Sequence, residues 1–160
     1  MSQEEFPNLE KKTFCIVGTD EFIRFRDMLH PDLFAFLTAH TLEDYGNKET
    51  KLFLSQDFKS GFGINPDGEL ISVFALERGR GKMLVKEARE QGALYLCCMG
   101  DHLLNLYSEF GFSPVNILKW DNKFAPKNWN YERFGDPNLY EMRLINPYSE
   151  EYDQHRNYCE

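Results

Sequence analysis

Gly79-Arg80-Gly81 stands between a strand-like run, Leu70-Ile71-Ser72-Val73-Phe74, and a helix-like run over residues 83–91. A glycine turn that opens onto a helix N-terminus is an anion-binding device. Unpaired backbone N–H groups and the positive end of the helix dipole point at one place. Downstream, Leu106-Tyr107-Ser108-Glu109-Phe110-Gly111-Phe112 puts a tyrosine on the inward face of a helix end that Gly111 stops. A phenol of pKa about 10 is neutral at pH 7 and can donate a proton. Together the two features point to an enzyme that holds a pyrophosphate-bearing cofactor and uses a tyrosine proton.

The rest of the chain must position them. At 160 residues it suits one domain with a real core, and 42% apolar with 15% aromatic residues mark a globular protein. The expected organisation is a flexible N-terminus (1–12), a single domain (13–146) and a flexible acidic tail (147–160). Strands are predicted over 13–17, 51–55, 60–65, 69–76, 93–99, 115–120 and 139–145. Residues 69–76 read almost continuously apolar, as a central strand buried on both faces does. Helices are predicted from Thr19 or Asp20 through Arg26, from Asp32 through Leu42, over 82–91 before Gly92, and from Asp101 through Phe110. In the last, Leu103, Leu106, Tyr107 and Phe110 form one apolar stripe. Pro66-Asp67-Gly68 is a hairpin turn, and the strand–glycine turn–helix–strand unit is a parallel crossover. The fold class is therefore α/β (α+β): a mixed, mostly antiparallel central sheet with helices on both faces.

The formal charge of -8 argues against a nucleic-acid partner and suits a cationic substrate such as an amine. No apolar run approaches membrane-spanning length, so no membrane partner is expected. Cys15, Cys97, Cys98 and Cys159 show no framework spacing and are expected as reduced thiols in a cytoplasmic protein. Cys97, Cys98 and His102 lack the paired spacing of a metal site, and no metal is expected. His30 and His40 fall near predicted helix ends and read as structural or exposed, while His155 lies in the tail.

The element order and these motifs resemble the GNAT superfamily of acyl-CoA-dependent N-acyltransferases. The resemblance is carried by Leu70-Ile71-Ser72-Val73-Phe74, Gly79-Arg80-Gly81, and Leu106-Tyr107 with Gly111-Phe112. Together with Pro126-Lys127-Asn128-Trp129-Asn130-Tyr131, they also look like a short subgroup often found in phage genomes. Leu76 departs from the superfamily pattern, standing where glutamine or arginine is usual. The resemblance implies acetyl-CoA as co-substrate and an amine, small or on a protein, as acceptor, with a monomer or homodimer doing the work. The pyrophosphate would rest on the amides of Gly79, Arg80, Gly81 and Lys82, with charge from Arg78, Arg80 and Lys82. The pantetheine arm would run along Val73, Phe74 and Ala75, with an oxyanion donor near Phe74. Tyr107 would protonate the leaving thiolate. Glu69 is the candidate base, with Glu77, Asp57 and Asp101 as rivals. The alternative expectation is a non-catalytic interaction or CoA-binding protein on the same fold, phage-encoded and host-directed.

Overall fold

The structure, a computed structural model, describes residues 14–145. The predicted N-terminal segment and the acidic tail, with Cys159 and His155, lie outside the described residues. The elements run β1 (Phe14–Val17), α1 (Thr19–Arg26), α2 (Pro31–Phe34), α3 (Leu42–Lys48), β2 (Lys51–Ser55), β3 (Ser60–Ile64) and β4 (Leu70–Ala75). They continue with α4 (Gly81–Glu90), β5 (Tyr95–Met99), α5 (Asp101–Ser108), β6 (Phe112–Leu118), a 3-10 turn (Asn122–Phe124), α6 (Tyr131–Phe134) and β7 (Leu139–Leu144).

The class is the predicted α+β one, but the strands do not make one sheet. They form two antiparallel sheets, ordered β1-β2-β3-β4 and β5-β7-β6. A single parallel bridge, Glu69 to Tyr95, joins them. The Pro66-Asp67-Gly68 turn makes that junction: the Gly68 carbonyl accepts from the amides of Leu94 at 2.8 Å and Tyr95 at 3.3 Å. The Asp67 carboxylate also accepts from the Tyr95 hydroxyl. So β4 is not a central strand. It is hydrogen-bonded to β3 on one edge and open on the other beyond Glu69.

Period-two alternation sends side chains to two cores. From β2, Phe53 enters the first core, with Leu84, Val85 and Ala88 of α4 and Tyr107 of α5. Leu52 and Leu54 enter the second, with Phe22 of α1 and Tyr45 of α3. Helices therefore cover both faces, as predicted. The helix predicted from Asp32 to Leu42 is instead two pieces. α2 ends at Phe34, and α3 starts afresh at a Thr41–Asp44 capping box, in which each side chain accepts from the other residue's amide. Residues 35–41 between them are not helical, and this stretch lies over the cleft described next.

Candidate functional site

Two strands that start together and separate leave a cleft between them. β4 and β5 touch at Glu69 and Tyr95, and further along neither finds a ladder partner on its facing edge among the described residues. The Leu76 amide donates to the Lys59 carbonyl at 2.7 Å, and Ala75 faces Ser60. In an antiparallel ladder such pairs alternate, so Phe74 bonds to β3 while the backbone groups of Ala75, and of Val73 two residues earlier, turn to the cleft. A strand edge of this kind can accept an extended ligand as an added strand.

A cavity of about 420 Å³ fills the narrow part of the cleft. β4 contributes Leu70–Val73 to its walls and β5 contributes 96–99; Leu103 and Tyr107 belong to the first core's side, Leu37 and His40 to the other. Toward the strands' C-terminal ends lies a second cavity of about 540 Å³, lined by 73–75, by 99–103 and by Phe134 and Pro137. A third, of about 570 Å³, runs under residues 34–39 to Pro126, Lys127 and Asn128.

A bulge shapes the β4 wall. Gly61 faces Phe74 and Gly63 faces Ile71, so Ser72 and Val73 together oppose Phe62. Ser72 takes φ +57°, the left-handed region. The inserted residue reverses the alternation. Leu70 joins the first core and Ile71 packs on the second; after the bulge Val73 and Ala75 pack on the first and Phe74 enters the second. Gly61 is required beside it, because a Cβ there would stand 2.5 Å from the Phe53 carbonyl oxygen. A buried polar chain holds the bulge. Arg26, 4% exposed, donates to the Tyr45 hydroxyl at 2.9 Å, and that hydroxyl hydrogen-bonds the Ser72 hydroxyl at 2.7 Å.

Tyr107 and Glu69 both line the 420 Å³ cavity. Tyr107 packs edge-on to Phe112 at 5.9 Å, and its hydroxyl has no hydrogen-bond partner among the described residues. Burial, with the Cys98 thiol beside it, pushes the phenol well above its usual range, so it stays protonated. Glu69 accepts from the Asn65 side-chain amide at 3.3 Å. The three rival carboxylates are engaged elsewhere. Asp101 accepts from the Tyr140 hydroxyl at 2.6 Å, Glu77 pairs with Lys59 at 2.8 Å and Arg80 at 2.9 Å, and Asp57 pairs with Arg80.

The glycine turn forms at the surface, at the C-terminal end of β4. Gly79 has φ +84° and open space where a Cβ would be. α4 begins at Gly81 with no side-chain cap, so the first-turn amides keep no partner among the described residues. No residue from 78 to 82 lines the three cavities. Arg80 turns away: its guanidinium reaches both Asp57 oxygens, the Ser60 hydroxyl at 3.2 Å and Glu77 at 2.9 Å. It ties the turn to the β2–β3 hairpin. Arg78 is exposed, and Lys82 lies 3.6 Å from Glu109 with its side chain 72% exposed.

Sequence reasoning missed the wall formed by 34–40, though the rings of the 121–138 loop read either as shaping an acceptor pocket or as patching the sheet. His40 lines the cavity, whereas His30 caps α2 by accepting from the Asp32 amide at 3.0 Å. The aromatic loop between β6 and β7 supports this wall: Phe36 meets Trp129 at 5.0 Å and Phe134 at 4.8 Å, and Asn130 donates to Asp32 at 3.1 Å. The Thr41-x-x-Asp44 spacing was the available signal that a new helix begins after His40. Cys97 is exposed and Cys98 buried, and burial lifts both thiols, Cys98 to about 12. Neither suits a nucleophile at pH 7. Among the described residues, no group of three or more His, Cys, Asp or Glu is placed to hold a metal ion, and no helix is long and apolar enough to cross a membrane. No family model matches the chain, and a search of curated proteins returns no match.

Proposed function

We propose that the chain transfers an acyl group from acyl-CoA, acetyl-CoA in the first instance, to an amine. The observation that carries the reading is a buried tyrosine, its hydroxyl without a partner among the described residues, in a cleft walled by open strand edges. The pantetheine arm pairs with the β4 edge at Val73 and Ala75, flanked by Phe74. The cleft-facing amides there donate to the thioester oxygen as negative charge develops on it. The diphosphate rests outside, on the amides of Gly79, Arg80, Gly81 and Lys82. Arg78 and Lys82 add charge, while Arg80 holds the turn in shape.

In this reading the amine nitrogen attacks the carbonyl carbon in a ternary complex, the C–S bond breaks, and Tyr107 gives its proton to the departing sulfur. A raised phenol pKa does not disqualify it, because the same desolvation makes the leaving thiolate more basic. Glu69 borders the acceptor end. The setting is cytoplasmic, with reduced thiols.

Acetyl-CoA should raise the unfolding temperature, and amines should accelerate thiol release from it. Ligand at about 100 times its Kd stabilises by about 2.7 kcal/mol. An unchanged unfolding temperature at millimolar acetyl-CoA would sink the proposal. A second reading is a CoA-binding or interaction protein without turnover, phage-encoded and host-directed. It is favoured by the commitment of Arg80 to Asp57 and Glu77 and by Leu76 in place of a polar residue. Stabilisation by acetyl-CoA without thiol release selects it.

A further inference from the structure

We propose that His40 takes the proton the acceptor amine loses as it attacks the thioester. The inference deepens the acyl-transfer reading and rests on it. His40 lines the same 420 Å³ cavity as Tyr107 and Glu69. Its imidazole forms no hydrogen bond among the described residues, so a ring nitrogen lone pair is free. Its backbone is fixed in place. Arg26 donates to the His40 carbonyl at 2.7 Å, the His40 amide donates to the Thr38 carbonyl at 2.8 Å, and the ring lies 5.3 Å from that of Tyr45. The chain that holds the β4 bulge thus also holds His40, because both depend on Arg26 and Tyr45.

The charges around the ring come from three elements: Lys48 and Asp44 on α3, Arg26 on α1, and Glu69 at the start of β4. Burial first, then Lys48, push His40 below its ordinary 6.5, with Arg26 adding to the effect and Asp44 and Glu69 opposing it. The imidazole is therefore neutral at pH 7 and able to accept. An imidazole also matches pH 7 better than a carboxylate does as a general base.

The step balances. The amine nitrogen bonds to the carbonyl carbon, and the sulfur leaves with the bonding pair and takes the Tyr107 proton. The surplus proton on nitrogen goes to His40. The imidazolium and the phenolate are then reset by proton exchange with water.

The test uses wild type, His40→Gln and Glu69→Gln, with acetyl-CoA and three primary amines: phenethylamine, cadaverine and a lysine-bearing peptide. Thiol release is followed from pH 5 to 9, and stabilisation by acetyl-CoA reports folding and cofactor binding. In wild type, kcat at saturating neutral amine should fall on the acid side with a midpoint below 6.5. His40→Gln should lose about 10²–10⁴-fold in kcat and lose that limb, with acetyl-CoA stabilisation intact. Turnover within threefold of wild type with the acid limb retained overturns the assignment, and loss of the limb in Glu69→Gln alone transfers the role to Glu69. A wild-type protein that neither binds acetyl-CoA nor releases thiol overturns the acyl-transfer reading, and the base falls with it. An NMR titration of the His40 ring needs no acceptor: a midpoint below 6.5 agrees, and one at 6.5 or above overturns the proposal.

Discussion

Replacing Tyr45 with phenylalanine removes one oxygen from the middle of the molecule. Tyr45 is 1% exposed, and its ring meets Phe22 edge-on at 5.9 Å, a contact the substitution keeps. What is lost is the acceptor for Arg26 at 2.9 Å and the partner of the Ser72 hydroxyl at 2.7 Å. A hydrogen bond to a charged group contributes about 1.5–3 kcal/mol, and a stranded buried hydroxyl costs about 1–3 kcal/mol. Arg26 keeps the His40 carbonyl and Asp27, which limits its share. The expected destabilisation is about 2–4 kcal/mol by the same figures. At about 2–4 °C per kcal/mol for a chain of this size, Tm should fall by roughly 5–15 °C. Urea and thermal unfolding followed by circular dichroism read both quantities. A double-mutant cycle with Ser72→Ala should show a coupling of about 0.5–3 kcal/mol. Ser72→Gly should destabilise less than Ser72→Ala, because glycine relaxes the left-handed backbone at φ +57°. If Tyr45→Phe lies within about 0.5 kcal/mol of wild type and the cycle shows no coupling, the polar chain does not hold the bulge.

Tyr107→Phe should abolish most thiol release while leaving acetyl-CoA stabilisation in place; full turnover removes the phenol from the mechanism. Gly79→Ala should destabilise by about 1 kcal/mol through its left-handed backbone and weaken acetyl-CoA binding, measured by calorimetry. Gly61→Ala should be far worse, because the new methyl meets backbone rather than a movable side chain; chemical denaturation measures the difference. Hydrogen bonds from Arg80 hold the Asp57 carboxyl well below its usual range. A depressed acid stabilises the fold fully above its unfolded pKa of about 3.9, and that stability is lost as pH falls from there toward the folded value. Asp57→Asn should therefore lower stability at pH 7 and flatten its decline below pH 4; an unaltered acid-unfolding curve contradicts the pairing.

Local signals marked much of this molecule in advance. Gly79 punctuates a strand-to-helix turn because only glycine takes φ +84° there cheaply. Tyr107 lies on an apolar stripe, although the helix that carries it ends at Ser108, short of the predicted stop at Gly111. The Pro66-Asp67-Gly68 turn has its mechanism in three consecutive residues. Other features left no periodic trace. α3 is short and mostly polar, and only its capping box announces it. Arg26 reads as an ordinary cation in the last turn of α1, yet it is buried beneath residues 40 and 45. Arg80 sits in the turn expected to face an anion, but Asp57, from a different hairpin, claims its guanidinium.

The sequence by itself determined the elements and the chemical types available, because turns, caps and apolar spacing are short-range properties of the chain. It placed Tyr107 on a helix and Glu69 at the head of a strand. Only the tertiary structure decided that they share a cavity, that His40 joins them, and that β4 and β5 part after one bridge. The physical reason is pairing across distance: a strand's open edge, a bulge at Ser72 and a buried guanidinium at Arg26 each exist through partners that lie far away along the chain.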